Sequence, residues 1–168
     1  MTADSSEARR RTVLVYSDDP AIRQRVITSI GRRPSPELPE IDFAQADTGE
    51  GAVRAVRLEP VDLCILDGEA WPTGGMAVCR QLREELNRCP PLLLLIGRRD
   101  DVWLGTWARA DAMVAHPIDP FELTAVAVRL LAGGTAEPAG GSPVATAPVG
   151  EPSGLHLPST RRPDAGRR

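Results

Sequence analysis

The sequence predicts an α/β domain: a doubly wound, five-stranded parallel sheet covered by five helices. Three observations carry this. Short apolar runs alternate with segments of helical periodicity between residues 12 and 132. Each crossover is long enough for a right-handed parallel connection. The informative residues fall directly after the strands (Ser17, Asp18 and Asp19 after the first, Asp67 after the third, Gly97 after the fourth, His116-Pro117 after the fifth), where such sheets carry their ligands.

The elements follow in order. Thr12–Tyr16 (TVLVY) is apolar and β-branched, as in a strand buried on both faces. It stops at Ser17-Asp18-Asp19-Pro20, a turn and cap cluster. Ile22, Val26 and Ile30 recur every four residues and make one helix face, closed by Gly31. The three prolines of residues 34–39 make a loop. Ile41–Gln45 is a short, polar-flanked strand, and Thr48 opens a helix with Ala52, Val53 and Val56 inward. Val61–Leu66 is the third strand, ending at Asp67. Met76, Cys79, Leu82 and Leu86 form the next helix face, and Leu92–Ile96 the fourth strand. Val102–Arg109 is a short helix with Trp103 and Trp107 one turn apart, and Ala112–Ala115 the fifth strand. Asp119 caps the last helix, with Pro120 at its first position and Leu123, Val126 and Leu130 inward.

Composition adds a polar lead-in, residues 1–11, and a tail, residues 133–168, with six prolines, seven glycines and no aromatic residue. So little apolar content cannot offset ordering entropy, so the tail reads as disordered. All 20 basic residues are arginine, which excludes any chemistry that needs a lysine ammonium. Residues 1–132 hold 16 arginines against 20 carboxylates, and the tail four against three. That is no footprint of a nucleic-acid binder. The longest apolar run, Leu92–Ile96, is strand-sized, so no membrane span is expected, and Met1–Arg11 lacks the apolar core of a secretory signal. Cys64, Cys79 and Cys89 form no CxxC pair, which argues against a disulfide framework or a zinc site and for a cytoplasmic protein.

Asp18, Asp19 and Asp67 would converge at one sheet edge, where a hard cation such as Mg2+ relieves their repulsion. Asp19, directly before Pro20, reads equally well as a helix cap. In order and spacing, VLVYSDDPAIRQRV at 13–26, VDLCILDGEAWPTGG at 61–75 and ADAMVAHPIDPFEL at 110–123 resemble the receiver domain of two-component response regulators, a flavodoxin-like fold. The resemblance spans residues 12–132. It implies that Asp67 is the phosphoacceptor for a histidine kinase. It also implies that Asp18, Asp67 and the backbone carbonyl of Glu69 hold Mg2+, with Ser17 and Asp19 completing the acidic pocket. Gly75 matches the family's loop glycine.

The departures fall on positions that read the phosphoryl group. The first acid of the family's pair is Ser17, the hydroxyl after the fourth strand is replaced by Ile96, the aromatic switch by Met113, and the lysine before the last proline by His116. The proline of the acceptor loop stands one place late, at Pro72. Each lost charge-assisted contact costs roughly 1.5–3 kcal/mol. A ligand shifts a conformational equilibrium only through differential contacts. The expectation is therefore an atypical, stand-alone receiver that is not an enzyme, binds Mg2+ weakly, switches little on phosphorylation, and works by protein contact. Its alternatives are a conventional phospho-accepting receiver and a Mg2+-dependent phosphatase.

His116 is either an idle replacement or a cationic partner for Asp67 and Asp18, and the family's motif suggests a cis His116–Pro117 bond. Trp103 and Trp107 read first as core and second as anchors of the family's partner surface, made of the fourth helix, fifth strand and fifth helix. A second copy of the chain is a further candidate partner. Cys64 reads as a buried, inert thiol and Cys89 as a more exposed one. Arg161-Arg162 and Arg167-Arg168 read as solvated tail charges.

Overall fold

The computed structural model describes residues 9–133. The tail reading for residues 134–168, its paired arginines, and the lead-in up to residue 8 lie outside the described residues. The elements run β1 (Arg11–Tyr16), α1 (Pro20–Ile30), β2 (Ile41–Ala46), α2 (Gly49–Leu58), β3 (Leu63–Asp67), α3 (Gly75–Glu85), β4 (Leu92–Ile96), α4 (Val102–Ala108), β5 (Ala112–Ala115) and α5 (Pro120–Leu131). The five strands are parallel, in the order β2-β1-β3-β4-β5. The expected doubly wound sheet with five helices is what forms.

Differences from the sequence reading have local causes. β2 pairs with β1 along six residues, so backbone pairing supplies what its polar flanks lack. β3 starts at Leu63, because Asp62 instead accepts the Thr12 N–H at 2.8 Å and the Arg11 guanidinium at 2.9 Å. A 3-10 turn, Arg99–Asp101, precedes α4, and α4 ends at Ala108 because Arg109 turns left-handed at φ 62°.

Alternate strand residues divide between two cores, as the period of two requires. Val13, Val15, Ile65, Leu93, Leu95 and Val114 pack with the inner faces of α1 and α5. Leu14, Tyr16, Cys64, Leu66, Leu94 and Ile96 pack on the other face with Val53 of α2, Val78 and Leu82 of α3 and Ala108 of α4. With both faces covered, the strands must be apolar throughout.

Proline-led helix starts are capped as read. Asp19 accepts the Ala21 N–H, and Asp119 accepts those of Phe121 and Glu122. His116–Pro117 is cis, and so is Trp71–Pro72. Among the described residues no helix is long and apolar enough to cross a membrane.

The strand order reverses between β1 and β3: the chain leaves β1 for β2 on one side, then returns to place β3 on the other. Tyr16 pairs with Leu66, so Ser17 and Asp67 lie side by side at the carboxyl edge of this switch point.

Candidate functional site

Asp67, the last residue of β3, is 3% exposed, and Ser17 beside it is fully buried. The Ser17 hydroxyl donates to Asp67 Oδ2 at 2.7 Å and accepts the Asp19 N–H at 3.1 Å. Asp67 Oδ1 accepts the Glu69 N–H at 3.0 Å. A buried carboxylate is tolerable only with such donors. The Ser17 hydroxyl, placed in the acidic pocket by the family resemblance, is committed to Asp67 itself.

His116 reaches the site from the end of β5. Its Nε2 lies 4.0 Å from Asp67 Oδ1, within electrostatic reach but beyond hydrogen-bond distance, and that buried nitrogen has no hydrogen-bond partner. Asp18, Asp19, Ile22, Asp67, Glu69, Gly97 and His116 line one cavity of about 430 Å3. The expected acids are thus brought together, with Asp18 and Glu69 exposed at its mouth. Asp19 divides its duties: it lines the cavity, but its Oδ1 is taken by the Ala21 N–H at 2.7 Å, which decides the alternative in favour of the cap.

Ile96 and Met113 do not line the cavity. Ile96 is 3% exposed and packs on the α2–α4 side of the sheet. Met113 lies over α4, so close that a Cβ on Gly105 would stand 1.8 Å from its Sδ. The residue after β4 that does face the cavity is Gly97, and the Glu69 carboxylate leans over it: a Cβ there would meet Oε1 at 2.9 Å. Gly75, the first residue of α3, is pressed on β3, where a Cβ would stand 2.5 Å from the Asp67 carbonyl oxygen.

The sequence reading missed Ile22 and Tyr16. Ile22 faces the cavity from the first turn of α1, a position its place three residues past Asp19 could have indicated. The Tyr16 hydroxyl donates to the Thr73 carbonyl in the loop between β3 and α3. Burial, then the charges of Asp18 and Asp67, push its pKa up.

Among the described residues no three His, Cys, Asp or Glu side chains form a ready-made metal cage. Asp18, Asp67 and Glu69 nonetheless line one cavity, and carboxylate and backbone carbonyl oxygens are the donor chemistry of a hard cation. They fit Mg2+; the Ser17 hydroxyl, committed to Asp67, is not among the groups that line the cavity.

Away from the cavity, the core reading of the tryptophans is corrected. Trp103 and Trp107 are 65% and 53% exposed, because Gly105 and Ala108 take the inward face of α4. The Arg80 guanidinium of α3 stacks 4.7 Å from the Trp107 ring centre, so this stripe flanks α3. Cys64 is buried and its thiol pushed far up by burial, as an inert thiol requires. Cys89 is half-buried and shifted the same way.

No family model matches the chain. It is 48% identical over 128 residues to an uncharacterized response regulatory protein of Mycobacterium tuberculosis, covering 76% of this chain and 95% of that protein. It is 33% identical over 121 residues to a DNA-binding response regulator of Mycolicibacterium smegmatis, covering 71% of this chain and 50% of that protein. Among solved structures, a Francisella response regulator receiver domain superposes with a TM-score of 0.63 at 21% identity, over 74% of this chain and 98% of that one. A chemotaxis response regulator of Vibrio cholerae gives 0.59 at 20% identity, over 73% and 99%. At these identities the structural likenesses speak for the fold.

Proposed function

The chain belongs to the response regulators of two-component signalling and carries their receiver domain; on that premise we propose that it is an atypical receiver, acting by protein–protein contact with phosphorylation at Asp67 weakened or lost. The observation that carries this reading is the state of Asp67. Both oxygens of the buried acceptor are held by donors of its own chain, and the residue at the lysine position is an imidazole 4.0 Å away.

Phosphoryl transfer to a carboxylate is mostly positioning and charge neutralisation. In this reading Asp18, Asp67 and the Glu69 backbone carbonyl would hold Mg2+, which supplies the neutralising charge when bound. The chain's own groups do little to help. Ser17 adds no charge. Glu69 sets a carboxylate over Gly97, near where an incoming phosphoryl oxygen would need a donor. Ile96 and Met113 pack away from the cavity, so neither the hydroxyl nor the ring of the family's switch has a counterpart. Metal binding is therefore weak, and the two phosphorylation states differ by few contacts.

The partner surface in this reading is α4 with β5 and α5, where Val102, Trp103, Trp107 and Phe121 are exposed. Its candidate occupants are an effector protein, a histidine kinase or a second copy of the chain. The single-domain reading is supported by the mycobacterial relative, 95% of whose length the match covers. The DNA-binding relatives are matched over about half their length, and their DNA binding is not carried over. A cytoplasmic location and the absence of enzymatic turnover complete the proposal.

The test is incubation with acetyl phosphate and Mg2+, read by intact mass. Little stable adduct is expected. Near-stoichiometric, acid-labile addition within minutes would establish the conventional receiver instead.

A further inference from the structure

Ser17 has no exposed surface, yet its hydroxyl joins three elements. It follows β1, accepts the N–H of the α1 cap residue Asp19, and donates to Asp67 at the end of β3. Each Asp67 oxygen thereby meets one uncharged donor, Ser17 Oγ at 2.7 Å and the Glu69 N–H at 3.0 Å. A carboxylate at position 17 would instead stand against Asp67 at hydrogen-bond distance in a buried site. Like charges so placed repel, and a divalent cation is the natural relief.

We propose that Ser17 is a positioning residue whose hydroxyl holds Asp67 where a metal ion would otherwise be needed, so that the β1–β3 edge is complete without Mg2+. The proposal rests on the receiver reading only in naming Mg2+ as the cation displaced. It accounts for how Asp67 stays buried with His116 too distant to bond it. It also makes the conformation of this edge insensitive to a change in free Mg2+.

Thermal melts of the full chain in EDTA and in millimolar MgCl2 test it, on wild type, Ser17→Asp and the double variant Ser17→Asp/Asp67→Asn. Wild type should melt at the same temperature in both buffers. Ser17→Asp should melt lower in EDTA, by on the order of 5 °C, and recover most of this in MgCl2. If it is unfolded in EDTA, recovery of helical circular dichroism on adding MgCl2 supports the proposal equally. The double variant has lost one of the two charges and should melt near wild type, indifferent to Mg2+. A wild type stabilised by Mg2+ as strongly as Ser17→Asp would overturn the proposal. So would a Ser17→Asp variant as stable as wild type in EDTA. Failure of the single and double variants alike, in both buffers, would point to size rather than charge and overturn it too. The melts contain no phosphoryl donor. A wild type that phosphorylates readily but melts without regard to Mg2+ would therefore end the weakened-receiver reading and leave this one standing.

Discussion

At the carboxyl edge of β1 and β3, Asp67 is 3% exposed and gives both oxygens to donors of its own chain, whereas on α4 Trp103 and Trp107 remain 65% and 53% exposed. Residue type alone suggests the reverse, a charged residue reaching for solvent and aromatic rings going inside. At the first region the chain closes a polar site on itself. At the second it leaves aromatic area open, steadied by Arg80 over the Trp107 ring. Tryptophan and arginine are the residues that most often dominate protein interfaces. The contrast sets a buried polar cluster at the end of β3 against exposed aromatic area on α4, and each half can be broken separately.

The largest effect is expected at Gly75, where β3 and α3 touch. A methyl group there would stand 2.5 Å from the Asp67 carbonyl oxygen and 2.9 Å from the Leu66 carbonyl carbon, both main chain. Gly75→Ala should cost roughly 3 kcal/mol in urea unfolding, at the upper end for overpacking. A cost below about 1 kcal/mol would mean that α3 can draw back from β3 freely.

Next comes the carboxylate. Asp67→Ala strands the buried Ser17 hydroxyl and the Glu69 N–H without their acceptor, so it should cost about 2 kcal/mol. Asp67→Asn keeps an acceptor and should cost less. Capture of partners from native cell extract should recover the same proteins with Asp67→Asn as with wild type. Different recoveries would restore a phosphorylation switch.

On α4 stability and recognition should separate. Trp103→Ala should change stability by less than about 0.5 kcal/mol, as exposed sites do. Trp107→Ala should cost about 0.5–1 kcal/mol through its lost stacking with Arg80. Both should lose partner recovery well beyond that. Unfolding costs of several kcal/mol, with recovery unchanged, would return the pair to the core.

The smallest effect is one of pH. Burial pushes the Cys79 thiol up to about 12, and its Sγ–H donates to the Ala108 carbonyl at 3.2 Å, tying α3 to α4. The folded-state value is raised, so this contribution is fully present below the unfolded value of about 8.5 and is lost as pH rises toward 12. Native-state thiol labelling at pH 8 should leave Cys64 and Cys79 unmodified. The α3–α4 region should loosen only in more alkaline solution, as hydrogen exchange would register.

Much of the site was legible without coordinates, because the doubly wound pattern puts strand ends at one edge. Asp18, Asp67 and His116 were found from that rule, Glu69 from the family resemblance, and all four line one cavity. What could not be read there was the division of labour inside the cluster. Asp19 and Asp18 are adjacent acids in the sequence, yet one is held by the Ala21 N–H and the other is not, which depends on where α1 begins. Gly97 and Ile96 are likewise adjacent. The strand-end rule put Gly97 at the edge and the resemblance put Ile96 there too; alternation along β4 turns Ile96 to the α2–α4 side and leaves Gly97 on the cavity.

By itself the sequence determined the strands, the helices and their order, because buried parallel strands must be apolar throughout, amphipathic helices repeat every three to four residues, and proline with aspartate marks helix starts. It also determined the absence of a lysine from any site this chain can build. Only the tertiary structure decided that Ser17 binds Asp67, that β2 is held in the sheet by pairing, and that α4 turns Gly105 and Ala108 inward and its tryptophans outward. A residue's period says which neighbours share its face. Whether that face meets another layer or water is set by how closely the layers approach, and here Met113 and Gly105 bring α4 down onto the sheet and leave the tryptophans no room beneath it.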